Sequence, residues 1–368
     1  MSAQALQALI RLLDEAPDPG VVTDPESWAL IREYSGVYGV RGLTAYAARP
    51  FLPPGERVWC DRVLTNHLRR YEQSLLHLEA IAQLLGNAGV PLLFLKGPLL
   101  ARRHYSPPFL RKPSVDLDLG VCRRDMDKAC RVLAGIGYQQ CRTLEEAAAY
   151  SYDVALLHET MPRVELHFRL SHGSLGIPVE EFFGRAVSAD LPHGGQALVL
   201  PEADEILHLV LHYAHHRFPM LFNLIEIRRI WRKAAPEIRT QVVRRAQEHH
   251  FLAVLAMTDI AFRSTWGEPF LPPGTNLPKT WLHNTLNERL YRECVSWSQP
   301  GFQLTLGTRL KGRWLDFQLT DDLSDALKFL GMIARVSWYR LRRRGWRTHQ
   351  HRHFAVPAAR DANSDNLL

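Results

Sequence analysis

The spacing of apolar residues changes twice along the chain, and the two changes divide it into three stretches. From the start to about residue 88 the period is helical. Leucines and an isoleucine recur at helical spacing over Ala3–Ala16, and Pro17-Asp18-Pro19-Gly20 closes that run. Further helices are predicted over Pro25–Tyr38 and about Gly55–Gly86. The second carries Leu75, Leu76, Leu78, Ile81 and Leu84 on one face and stops at Gly86-Asn87-Ala88-Gly89. Short runs then replace the long period. Leu92–Leu95 is an apolar run between a proline and a glycine and reads as a buried strand, followed by a short helix from Pro98 to Tyr105 and a loop, Ser106–Ser114. Val115–Val121 alternates aliphatic and acidic residues, as a strand does. Arg123–Gly135 reads as an amphipathic helix, and Val154–Glu159 with Arg163–Leu170 as a hairpin. His172–Pro178 reads as a loop, Val179–Val187 as a short helix, and His193-Gly194-Gly195 as a turn before Ala197–Leu200.

From Pro201 onward the pattern is helical again. Acids open a helix that continues through Ile206–His216, where they favour its dipole. Leu221–Trp231, Glu237–His249 and Phe251–Ser264 follow, Gly267–Gly274 breaks the array, Asn276–Gly312 carries little pattern, and a last helix runs from Asp322 to about Arg344. The predicted fold class is α+β: a small mixed β-sheet core between N-terminal helices and a C-terminal helical domain. The divisions fall at 1–88, 89–200 and 201–345, with a basic, disordered tail over 346–368.

The chemistry concentrates between Lys96 and His167. On a strand, Asp116 and Asp118 project from one face while Leu117 and Leu119 project from the other. Two neighbouring carboxylates repel unless a proton or cation lies between them, and paired oxygen ligands suit Mg²⁺ brought with phosphates. The plainer alternative is an edge strand with a solvated acidic face. Glu165 and His167 share one face of the second hairpin arm, so Glu165 completes a three-carboxylate site if that arm lies beside Val115–Val121; a cross-strand partner for Arg163 or Arg169 is the alternative. Lys96-Gly97 stands at a strand-to-helix turn, where backbone N–H groups and an ammonium can meet a triphosphate. His208, His212, His215 and His216 cluster on one helix, yet the H-x-x-x-H spacing lacks the glutamate of a metalloprotease helix and no nearby cysteine completes a tetrahedral zinc site.

Taken together, Leu95-Lys96-Gly97, Tyr105, Arg111 and Asp116-Leu117-Asp118-Leu119-Gly120-Val121 resemble the LKG…Y…R…DxDLxV core of a family of uncharacterised bacterial nucleotidyltransferases within the polymerase-β-like superfamily. Glu165-Leu166-His167 resembles the acid-x-His strand that follows that core, and Glu226-Ile227 a later acid-isoleucine pair where the family more often has Asp. The resemblance covers roughly residues 60–235. It implies a nucleoside triphosphate substrate, ATP by first expectation, and two Mg²⁺ ions on Asp116, Asp118 and Glu165. Glu165 is a ligand or base at the attacking hydroxyl, and Lys96, Gly97, Arg111 and His167 attend the phosphates. The superfamily usually has Gly-Ser or Gly-Gly at the turn. Here Pro98 follows Gly97, which shifts phosphate binding from a hydroxyl to Lys96. The implied reaction is nucleotidyl transfer to a hydroxyl of a small molecule, sugar or peptide in a bacterial biosynthetic pathway. Kinase-like phosphoryl transfer and a catalytically silent binding or regulatory module are the alternatives.

Composition narrows the setting. No run of about 18 apolar residues occurs and the N-terminus lacks a basic-then-apolar leader, so a cytoplasmic protein without a transmembrane segment is expected. The five cysteines form no C-x-x-C pair and read as reduced thiols. The net charge of +7 is matched by the seven arginines of the acid-free segment Arg335–His353. That segment is either a solvated extension or a contact for an anionic partner: membrane, RNA or acidic substrate.

Overall fold

The computed structural model describes residues 3–14, 18–170, 176–218, 221–277, 286–296 and 305–342. Four helices open the chain: α1 Ala3–Leu12, α2 Pro25–Val37, α3 Arg41–Ala48 and α4 Pro54–Asn87. Asp24 caps α2 by accepting the Ser27 amide. The α/β stretch then runs β1 Leu93–Phe94, α5 Pro98–His104, β2 Asp116–Gly120, α6 Met126–Ala134, β3 Gln139–Gln140, α7 Leu144–Tyr150, β4 Asp153–Leu157 and β5 Arg163–His167. It continues through β6 Arg169–Leu170, β7 Ile177–Pro178, α8 Glu180–Phe183, β8 Val187–Asp190 and β9 Gln196–Val199. Helices α9 Glu202–His215, α10 Leu221–Lys233, α11 Pro236–Glu248, α12 Leu252–Trp266, α13 Glu288–Ser296, α14 Leu306–Gln318 and α15 Leu323–Arg342 complete it.

Seven strands form one mixed sheet in the order β3-β4-β5-β2-β1-β9-β8, with β2–β5 and β1–β9 parallel and the other pairs antiparallel. Alternation along β2 and β5 sends Leu117, Leu119, Val164 and Leu166 into a core shared with Leu75, Leu78, Ile81 and Leu85 of α4 and Met126, Ala129 and Leu133 of α6. Gly120 admits the close passage of β1, since a Cβ there would lie 3.1 Å from both Leu93 Cβ and Val179 Cγ1. A second apolar core joins Leu9, Leu12, Trp28 and Ile31 of the first helices to Ile206, Val210, Leu224, Ile227, Leu255 and Phe262 of α9, α10 and α12.

Several elements differ from the sequence reading. Helix α3 and the β3–α7 segment were not anticipated, and Val187 starts a strand rather than ending a helix. Arg163–Leu170 divides at Phe168 into β5 and β6, and β6 pairs with β7 from the stretch read as loop. Helices α13 and α14 lie in the stretch that carried little pattern. Beyond any effect on the helix dipole, two acids at the start of α9 are buried in ion pairs. Asp204 pairs with Arg185 and Arg245, and Glu205 with Arg103, the carboxylates buried and Arg185 and Arg103 part-exposed. Residues 343–368, including the whole of the basic tail over 346–368, lie outside the described residues, as do 171–175.

Candidate active site

The end of β1 delivers Lys96 to the middle of β2. The Leu95 amide donates to the Asp118 carbonyl at 3.3 Å, and Gly97 then turns the chain at φ 77° into the proline that opens α5. No atom crowds the Gly97 Cβ direction, so the left-handed backbone itself favours glycine there. The parallel register sets Asp118 opposite Glu165 and Gly120 opposite His167. Asp116, Asp118, Glu165 and His167 therefore share the sheet face away from the α4–α6 core. Helix α9 lies across that face. Lys96 Nζ donates to His212 Nδ1 at 3.2 Å, Tyr152 Oη lies 3.2 Å from His215 Nε2, and the Tyr152 ring stacks on His167 with centroids 5.4 Å apart.

Asp118 is the electrostatic centre. Its Oδ1 receives Lys96 Nζ at 3.0 Å and His167 Nε2 at 3.0 Å. Burial alone would raise the Asp118 carboxyl, but the Lys96 ammonium and the His167 hydrogen bond outweigh it and hold the group below the ordinary carboxylate range. Its neighbours move the other way. Burial, then the charge on Asp118, raises Asp116 and pushes Glu165 up to about 7. Arg163 touches Glu165 at 2.6 Å, yet that guanidinium is substantially exposed and hydrated, so it does not offset the buried acids. Burial works against protonation of His167, but the hydrogen bond and charge of Asp118 prevail and raise it.

This donor set fits a hard divalent cation. A buried carboxylate, Asp118, and two half-buried ones, Asp116 and Glu165, resist carrying full charge together, and a cation among them relieves that cost. Asp118, Glu165 and His167 offer ligand atoms that all lie within 4.8 Å of one another. Asp116 lies one pleat further along, opposite Arg163, and is outside that tightest group. The other such group among the described residues, His250, Asp322 and Asp325, joins the α11–α12 turn to the start of α15, where Lys328 holds Asp325 at 2.8 Å.

Arg111 sits beside the site rather than on the carboxylates. It is buried in a two-pronged pair with Glu226 of α10, Nε to Oε1 at 2.6 Å and NH2 to Oε2 at 3.1 Å, and Tyr105 Oη donates to the same carboxylate at 3.2 Å. Arg111, Lys112 and Ser114 line a small crevice with Gly97 and Pro98. His208 and His212 of α9 and His216 at its C-terminal cap form one ridge, read in the sequence as a histidine cluster but not assigned there to this site. Burial, then the Lys96 charge, drives His208 and His212 well down and His216 to about 4, so the ridge is neutral. Both ring nitrogens of His208 are buried without a hydrogen-bond partner. Their signal was the i, i+4, i+8 spacing, which puts all three on one helical face.

A family model described as an uncharacterised nucleotidyltransferase matches residues 43–261, more than half of the chain. The chain belongs to that family. No curated protein matches it. The nucleotidyltransferase match runs from α3 to α12, wider than the 60–235 on which the motifs lie, and the histidine ridge and the Arg111–Glu226 pair fall within both ranges.

Proposed function

We propose that the protein is a Mg²⁺-dependent nucleotidyltransferase that transfers a nucleotidyl group from a nucleoside triphosphate, ATP first among them, to a hydroxyl acceptor: a small molecule, sugar or peptide. The observation that carries the reading is the parallel β2–β5 register, with Asp118 opposite Glu165 and Lys96 arriving at 3.0 Å from the end of β1. Mg²⁺ ions on Asp116, Asp118 and Glu165 would neutralise charge on the phosphates and on the attacking oxygen. Lys96 and the Gly97 backbone bind the phosphates, and Arg111, held by Glu226, stands with Lys112 in the crevice beside them to meet developing negative charge. His167 orients Asp118 through its hydrogen bond. As the acceptor oxygen bonds to the α-phosphorus, its proton passes to Glu165, the bond to the β-phosphate oxygen breaks, and pyrophosphate leaves.

The test is product analysis with Mg²⁺, a nucleoside triphosphate and a panel of hydroxyl acceptors. Pyrophosphate with a nucleotidylated acceptor is expected. A nucleoside diphosphate with a phosphorylated acceptor would instead establish kinase-like transfer, and Mg²⁺-nucleotide binding without turnover across the panel would mark a silent module. Lys96→Ala should weaken ATP far more than adenosine in calorimetry, because the lost ammonium meets only phosphate. Equal losses for both ligands would remove Lys96 from the site.

A further inference from the structure

We propose that the outer face of the α14–α15 hairpin is a docking surface for an anionic lipid bilayer, on which the hairpin lies in the interface plane. Helix α15 is apolar on two sides. One side buries Ala326, Phe329 and Met332. The other exposes Leu323 at 57 %, Leu327 at 59 % and Leu330 at 47 %. Spacings of four and three residues put these leucines on one stripe. Helix α14 adds Leu310 and Trp314, both also exposed. Single exposed leucines are ordinary on a soluble surface, but an ordered stripe on a helix already apolar underneath calls for a partner.

The charge of the chain that follows selects the partner. No acid occurs between Asp325 and Asp361, while seven arginines lie between Arg335 and His353, and the sequence keeps the apolar spacing at Trp338 and Leu341. An apolar stripe followed in the sequence by an acid-free, arginine-rich run matches the chemistry of an anionic bilayer surface, whose acyl boundary takes the leucines and whose negative charge complements that run. RNA would use the arginines and leave the leucines in water. A second copy of the chain would cover the leucines and bring two arginine segments together. No helix among the described residues is long and apolar enough to cross a membrane, which fits a surface mode of binding. The stripe contains none of the residues assigned to nucleotidyl transfer, so this inference stands or falls apart from that reading.

The experiment is co-sedimentation of the full chain with vesicles of phosphatidylcholine alone and of phosphatidylcholine mixed with phosphatidylglycerol. The wild type should bind the mixed vesicles preferentially, and less at about 1 M salt, where the screening length falls to about 3 Å. The triple variant Leu323→Ser, Leu327→Ser, Leu330→Ser should lose roughly tenfold or more of that partitioning with its melting transition retained, since the side chains removed are exposed. Leu327→Ser alone, with a smaller loss in the same direction, serves if the triple variant fails to fold. Equal binding to both vesicle types, or vesicle binding unchanged in the leucine variants, overturns the proposal. So does a dimer that the leucine variants dissociate while vesicle binding stays the same, or binding of RNA that displaces the vesicles and ignores the leucines.

Discussion

Asp116 and Asp118 sit two residues apart on one strand, yet their surroundings assign them opposite roles in stability. Asp118 anchors Lys96 and His167, so Asp118→Asn leaves a buried ammonium facing a neutral amide and should lower stability by roughly 1–3 kcal/mol. Asp116 is opposed by burial and by the charge on Asp118, so Asp116→Asn should leave the melting temperature unchanged or raise it. Both should cost at least about a hundredfold in Mg²⁺-dependent turnover, because each removes a ligand charge. Paired melting and rate measurements check this, and activity within a fewfold of wild type in both variants would end the metal-site assignment. Titration gives a second check with a definite sign. Glu165 is raised from 4.5 to about 7, so the native state binds more protons than the unfolded chain across that window, and its contribution falls as pH rises. The ridge histidine His216 is lowered from 6.5 to about 4, so there the unfolded chain binds more protons and stability is lost as pH falls through that window; His208 and His212 act in the same sense. In metal-free buffer Glu165→Gln removes the first contribution alone. The variant should therefore melt above wild type at about pH 8 and lose that advantage by about pH 5. An identical difference at both pH values would contradict the raised Glu165.

Strands β2 and β5 could be read directly because their alternation couples two demands: an aliphatic face for the α4–α6 core and an acidic face for the site. The register between them could not, since pairing partners are chosen by the whole sheet. The Arg111–Glu226 pair was hidden for the same reason: its partners are 115 residues apart, and only the docking of α10 on the loop after α5 brings them together. Helix α7 was missed despite a sequence signal. Thr143 and Glu146 form a capping box in which Thr143 accepts the Glu146 amide and Glu146 accepts the Thr143 amide. The run LEEAAAY behind it is too short and too alanine-rich to show a period. Thr143→Ala should cost about 1 kcal/mol, a fall of a few degrees in a protein of this size, measured by thermal unfolding. No change would mean that tertiary contacts alone hold α7. Arg111 carries more. Arg111→Lys loses the two-pronged geometry of a buried pair and should destabilise more than Arg57→Lys on the part-exposed surface of α4, where the guanidinium donates to the Leu52 carbonyl.

The family match begins at residue 43, but the core that supports the histidine ridge does not. Leu9, Leu12, Val22, Trp28, Ile31 and Tyr38 all lie before that point and are buried in the same apolar cluster as α9, α10 and α12. Polar links reinforce the contact: the Phe222 amide donates to the Tyr38 carbonyl at 3.3 Å, and Arg228 reaches Asp14 at 3.0 Å. Six buried side chains at roughly 1.5–3 kcal/mol each, taken as an upper bound, contribute on the order of 10 kcal/mol. That is comparable to the entire stability of an ordinary domain. The first helices are thus the floor under α9 and α10, and through His212 they hold the ammonium of Lys96 in place. Deleting residues 1–40 should leave the family-matched region intact in sequence yet without a cooperative melting transition, and with weakened nucleotide binding in whatever fraction stays in solution. Thermal unfolding and size-exclusion chromatography of the fragment decide the matter. A monodisperse fragment that melts within a few degrees of the full chain would show that the α4–α6 core and its sheet stand on their own, and that α1 and α2 only cover a surface already folded.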